Sequence, residues 1–178
     1  MYKIENPWTS LQEYNCFGCC PTNPLGCQMT FYVDGDDIVS VWKPTLDHQS
    51  WLNTLHGGIQ ATLLDEVCGW VVFKKLSTAG VTAKMELRYR KPVSTSLPYL
   101  VLRARLTSLR RNVADVYGAI YDPDGQLLVE CTCVYFTFSQ EQARDKMLFT
   151  EATLDTEDLT LDEVISRTLS TPRYKRLR

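Results

Sequence analysis

The chain has 178 residues, 44% hydrophobic and 22% charged, with a formal net charge of −2. Those values fit one globular domain with appendages, and the small net charge argues against nucleic acid or an anionic membrane as partner. The N-terminal Met-Tyr-Lys-Ile-Glu-Asn-Pro-Trp has no basic-then-apolar signal pattern, and no apolar run approaches the ~20 residues of a membrane span, so a cytoplasmic protein is expected.

In chain order, Ser10-Leu11-Gln12-Glu13 has capping-box spacing and predicts a short N-terminal helix. The stretch from Cys16 to Cys27 reads as a loop by its Gly, Pro and Asn content. The chain holds seven cysteines, an odd number without an export signal, which favours thiols over disulfides. Cys16-x-x-Cys19-Cys20 with Cys27 has part of a zinc pattern. A second clean Cys-x-x-Cys pair and a nearby His are missing, so ordinary loop cysteines and no metal are expected. Segments 28–33 and 38–42 flank Asp34-Gly35-Asp36-Asp37 and read as a β-hairpin.

His56-Gly57-Gly58 then opens a helix over 57–76, whose Ile59, Leu63, Val67, Trp70 and Val71 recur at helical spacing. Cys68 on this helix is expected to be buried. Four strands follow at 81–91, 97–109, 113–121 and 126–138, the last two joined by Asp122-Pro123-Asp124-Gly125 and the last carrying core thiols Cys131 and Cys133. In the first of them Met85, Leu87 and Tyr89 alternate with Lys84, Glu86, Arg88 and Arg90. The pattern implies an α+β fold, a mainly antiparallel sheet wrapped around one long helix. Residues 139–158 read as acidic and irregular, and Thr160-Leu161-Asp162-Glu163 as another helix start. The end, Arg173-Tyr174-Lys175-Arg176-Leu177-Arg178, reads as a solvated basic tail. The domain reading is 1–27 for the N-terminal helix and cysteine loop, 28–138 for the main domain, and 139–178 for a C-terminal extension.

Two ingredients of acyl-transfer chemistry lie on the central helix. Paired glycines at a helix start leave backbone N–H groups to hold an anionic oxygen, and a carboxylate further along can serve as general base or nucleophile. Gly58 and Asp65 share a helix face but are separated by ~10 Å along the axis. Attack on a carbonyl needs reacting atoms ~3–3.5 Å apart. A two-fold dimer with antiparallel helices would solve this by bringing one subunit's Asp65 to the other's turn. Glu66 points ~100° away and is expected to face solvent or cap a loop. His56 suits a positioning role, its ring bonding backbone or substrate; only His48 could join it in a metal site, and the spacing does not favour one. Arg90, Lys91, Arg110 and Arg111 at strand ends are candidate phosphate contacts, each with a solvated rim as its plain alternative.

His56-Gly57-Gly58 leading to Leu64-Asp65-Glu66, then Thr82-x-x-Met85-x-Leu87-x-Tyr89-x-x-Pro92, resembles the PaaI-type hotdog-fold acyl-CoA thioesterases. Cys16-Phe17-Gly18-Cys19 and Asn23-Pro24-x-Gly26 also resemble the N-terminal loop of many hotdog relatives, apart from Cys20 and Cys27. The resemblance covers about residues 16–138. It implies a hotdog dimer, often paired again into a tetramer, that hydrolyses acyl-CoA without a cofactor. It assigns carbonyl polarisation to Gly58 or Gly57, substrate orientation to His56, the base or nucleophile to Asp65, assistance of the attacking water to Thr82, and CoA phosphate contact to Arg90, Lys91, Arg110 and Arg111. The alternative is a non-hydrolytic acyl-CoA binding or sensing module. A hydratase would need an Asp-His pair that the sequence does not present.

Overall fold

Helix α1 (Gly57–Lys75) is the centre of the computed structural model, which describes residues 1–171. The basic end at 173–178 lies outside the described residues. Leu63, Leu64, Val67, Cys68, Trp70, Val71 and Val72 are all buried, so the helix is apolar over most of its circumference and must be enclosed. An antiparallel sheet encloses it. The strands are β1 (Tyr2–Ile4), β2 (Tyr32–Asp34), β3 (Asp37–Trp42), β4 (Gly80–Tyr89), β5 (Leu100–Arg110), β6 (Val113–Tyr121), β7 (Leu127–Thr137) and β8 (Leu154–Asp158). Their order across the sheet is β4-β7-β6-β5-β3-β2-β1-β8. The core between sheet and helix includes Ile38, Leu102, Val116, Ile120, Val129 and Cys133. Burial of such side chains contributes roughly 1.5–3 kcal/mol each. At Gly118 on β6 an added Cβ would lie 2.6 Å from the Cys68 sulfur and 3.0 Å from that of Cys131, so only glycine allows this close pass.

The long helix and the four strands after it lie within a few residues of their expected places, and the hairpin turns at Asp34–Asp37 as the sequence suggests. Four expectations are corrected. The first helix is a 3-10 turn at Pro7–Ser10, capped by the Asn6 side chain; a proline at its start sets the helical φ ahead of the Ser10 signal. Residues 28–31 are not strand, and Gln28 sits at φ 53. The sheet gains β1 and β8, too short to show periodicity. Residues 139–158 are not irregular: α2 (Gln140–Met147) starts with a Ser139–Gln142 capping box, and β8 pairs with β1. The last helix, α3 (Leu161–Ser170), starts at the expected Thr160–Glu163 capping box and lays Val164 against Tyr32 and Val41. No described helix is long and apolar enough to cross a membrane.

Candidate active site

Asp65 leaves α1 on the flank that faces the β4 edge. The Thr82 hydroxyl donates to Asp65 Oδ1 at 2.8 Å. The Tyr135 hydroxyl donates to the Asp65 backbone carbonyl at 2.9 Å and reaches Oδ1 at 3.4 Å. Burial pushes the Tyr135 hydroxyl well above its ordinary range, with the Cys68 and Asp65 charges acting in the same direction, which keeps it protonated and donating. Thr82 and Tyr135 are cross-strand partners on β4 and β7. By strict alternation Thr82 would share a face with Lys84 and Glu86, pointing away from the helix. A bulge between Thr82 and Lys84 shifts the register by one residue and turns Thr82 to the same side as Met85 and Leu87.

The other end of β4 meets the start of α1. His56 is the N-cap, and its Nδ1 accepts the Gly58 N–H at 2.9 Å. An accepting Nδ1 leaves the ring proton on Nε2. The Gly58 N–H is therefore engaged within the turn, whereas the Gly57 N–H has no hydrogen-bond partner among the described residues. The Gly57 carbonyl accepts from the Tyr89 hydroxyl at 3.0 Å, which ties the turn to β4. Gly57, Tyr89, Arg90 and Lys91 line one surface groove with Leu55 and Pro92.

The four candidate phosphate contacts fall into two groups. Arg90 and Lys91 follow β4 at the Gly57 end, where Arg90 is paired with Glu130. Arg110 and Arg111 form the β5–β6 turn, paired in register with the far end of β7 and β4, where Arg110 meets Asp115 at 3.2 Å. At ~3.3 Å per residue the two groups are nearly the length of β4 apart, about 30 Å. Within one chain they do not converge, and neither do Asp65 and the Gly57 N–H.

Glu66 does not face solvent. It is half-buried against the cysteine loop, where its Oε1 accepts the Trp70 indole N–H at 3.2 Å and lies 3.7 Å from Cys16 Sγ. Burial, with Cys16 alongside, pushes its carboxyl up to about 7. Cys16 and Cys19 approach to 3.5 Å. Cys20 turns away to the Tyr14 carbonyl and Thr22 hydroxyl. Cys68, Cys131 and Cys133 are fully buried together in the core. The His56 backbone N–H donates to the His48 carbonyl at 2.9 Å, while the His48 ring contacts the Thr45 hydroxyl and the Trp42 ring. Tyr135 and Tyr89 carry the positions of Asp65 and the turn but were not singled out as site residues. Tyr89 stands in the strand motif, whereas nothing in the sequence near Tyr135 marks it.

Residues 52–129 match the family model of the thioesterase superfamily. No curated protein matches the chain in sequence. Among solved structures, a thioesterase superfamily protein is 26% identical, with a TM-score of 0.61 over 66% of this chain and 57% of that one. The chain thus spans little more than half the length of that relative. A hypothetical thioesterase from Streptococcus pneumoniae, solved with coenzyme A, is 23% identical, with a TM-score of 0.56 over 59% of this chain and 83% of the other. A Streptococcus mutans protein bound to acetyl CoA is 17% identical, with a TM-score of 0.59 over 74% and 98%. The chain has the hotdog fold, and its residues 52–129 are similar to the thioesterase superfamily.

Proposed function

We propose that the protein is an acyl-CoA thioesterase whose two sites are shared across a homodimer. The observation that carries this reading is a carboxylate on a largely apolar helix, Asp65, held by the Thr82 hydroxyl at 2.8 Å beside the open β4 edge. Such a group is retained at a cost unless it is paired or used. Its geometry suits a base: one oxygen is fixed by Thr82 while the other stays available. The coenzyme A and acetyl CoA in the two streptococcal structures support CoA thioesters as the substrate class.

The dimer follows from the two ends of β4. This strand is an edge of the sheet, and its Val81 and Tyr89 are 44% and 52% exposed. Asp65 and Thr82 sit at one end, and Gly57 and Tyr89 at the other. Antiparallel pairing of β4 with a second copy would lay each Asp65 beside the other subunit's Gly57, twice, by symmetry. The same operation brings the Arg110–Arg111 turn of one subunit toward Arg90 and Lys91 of the other, gathering basic groups for the CoA phosphates.

In such a site the Gly57 N–H, at the positive end of α1, polarises the thioester carbonyl. The exposed Nε2–H of His56 orients the thioester from the same side. Asp65 takes a proton from water as the water oxygen bonds to the carbonyl carbon, with Thr82 holding the carboxylate. Collapse of the tetrahedral oxyanion breaks the C–S bond, and the proton passes to the departing CoA sulfur. Direct attack by Asp65, through an anhydride, uses the same residues.

The test is thiol release from an acyl-CoA panel combined with subunit mixing. Gly57→Pro removes only the N–H of the first helical position, which tolerates proline, and His56 at φ −59, ψ 132 already has the conformation a following proline requires. Asp65→Asn and Gly57→Pro should each be inactive. Refolded together, they should recover about a quarter of wild-type activity, because half the dimers hold one intact site. No recovery would reject the shared site, and a wild type that binds acyl-CoA without releasing thiol would leave the binding-module reading.

A further inference from the structure

A second chemical cluster lies on the opposite flank of α1, outside the proposed thioester site. Cys16 Sγ, Cys19 Sγ and a Glu66 carboxylate oxygen all lie within 4.8 Å of one another. The two sulfurs are 3.5 Å apart, and Cys16 Sγ lies 3.7 and 3.8 Å from the Glu66 oxygens. A tetrahedral zinc ion with Zn–S near 2.3 Å and Zn–O near 2.0 Å requires edges of about 3.8 Å between sulfurs and about 3.5 Å between sulfur and oxygen. The two edges at Cys16 match to within about 0.3 Å, and Cys19 Sγ lies within 4.8 Å of the Glu66 oxygen, so side-chain rotation would complete the set.

The surroundings are built around these three groups. Cys16 and Cys19 sit on one Cys-x-x-Cys turn, closed by the Cys20 N–H donating to the Cys16 carbonyl at 3.2 Å. Gly18 has no room for a Cβ, which would fall on the Glu66 carboxylate. That carboxylate is oriented by the Trp70 indole N–H. Asn6 donates to the Tyr14 hydroxyl at 2.9 Å, which leaves the Tyr14 proton for Cys19 Sγ at 2.9 Å. These outer contacts are what a metal's ligands need to keep their orientation. Cys16 is only half-buried, so an ion has a path in and a solvent molecule can fill the fourth position. The core group Cys68, Cys131 and Cys133 lacks these features: it is sealed and has no oxygen donor.

We propose that Cys16, Cys19 and Glu66 bind one zinc-class divalent cation, with solvent as fourth ligand. Two thiolates select a borderline or soft ion over magnesium or calcium. The ion would clasp the cysteine loop to α1 at the residue next to Asp65, a structural role separate from thioester hydrolysis.

Cobalt(II) titration of the reduced full-length protein tests this. One cobalt per chain should bind with an intense thiolate-to-cobalt charge-transfer band, displaced by zinc. The band should vanish in Cys16→Ser and in Cys19→Ser, persist in Cys131→Ser, and need at least tenfold more cobalt in Glu66→Gln. Alkylation mapping of the wild type makes the result independent of variant folding: zinc should protect Cys16 and Cys19 and leave the protection of the other thiols unchanged. No uptake by the reduced protein would overturn the proposal. So would a band that survives Cys16→Ser, or a Cys16–Cys19 disulfide whose reduction yields no metal binding.

Discussion

Asp65 and Glu66 are adjacent carboxylates on one helix, yet they meet opposite surroundings. Asp65 faces two hydroxyl donors beside an open sheet edge, which satisfies one oxygen and leaves a route for water and substrate. Glu66 faces an indole N–H and two sulfurs under a folded loop. A rotation of ~100° about the helix axis separates a group suited to chemistry from one suited to holding structure. Residue type did not distinguish them; what packs against each flank did.

The sharpest way to break this contrast is to remove one charge at a time. Asp65→Asn should lower kcat for acyl-CoA by at least ~10²-fold, since it deletes the base. Its stability in urea should change by less than about 1 kcal/mol, because an amide oxygen still accepts from Thr82. Gly57→Pro should reach a similar loss of kcat through the carbonyl donor alone. On the other flank the large effect should be on folding: Gly18→Ala forces a methyl group onto Glu66 and should cost about 1–3 kcal/mol in equilibrium unfolding. An Asp65→Asn variant as active as wild type, or a Gly18→Ala variant of unchanged stability, would erase the distinction.

Smaller effects test how each group is held. Thr82→Ala should reduce kcat about tenfold, and Tyr135→Phe less, since its main bond is to the Asp65 backbone carbonyl. Lys91→Ala should raise KM for acyl-CoA several-fold while leaving kcat near wild type, as expected for a contact made equally in ground and transition states. Away from both flanks, Asp37 provides a pH control. Burial opposes its ionisation, but hydrogen bonds from Arg105 and Arg103 outweigh that and hold its carboxyl below the ordinary range. Its contribution to stability is thus complete above the unfolded value near 3.9 and is lost as pH falls through the lower folded value. Asp37→Asn should flatten that part of the urea midpoint against pH.

The helix, its turn and the four strands after it were legible because each carries a period or a turn signal of its own. Asp65 was legible because a carboxylate on an apolar helix breaks the pattern. Tyr135 was not, since a tyrosine in a buried strand is ordinary and only its cross-strand position opposite Thr82 gives it a role. Glu66 was misread because the loop that covers it is distant in sequence and has no periodicity. Strands β1 and β8 were missed for a related reason: at three and five residues they depend on each other's hydrogen bonds rather than on local preference.

The sequence by itself determined a long buried helix opened by His56-Gly57-Gly58, an antiparallel sheet to enclose it, and a separation along the helix too great for Asp65 and the turn to act on one carbonyl in one chain. Those conclusions rest on local spacing, which the chain carries everywhere it goes. The tertiary structure decided which side chains meet. A single-residue bulge in β4 turns Thr82 onto Asp65, an N-cap bond engages Gly58 and leaves the Gly57 N–H open, and a folded loop sets Cys16 and Cys19 against Glu66. Each is a contact between segments far apart in sequence or a one-residue shift of register, and period and propensity do not encode either.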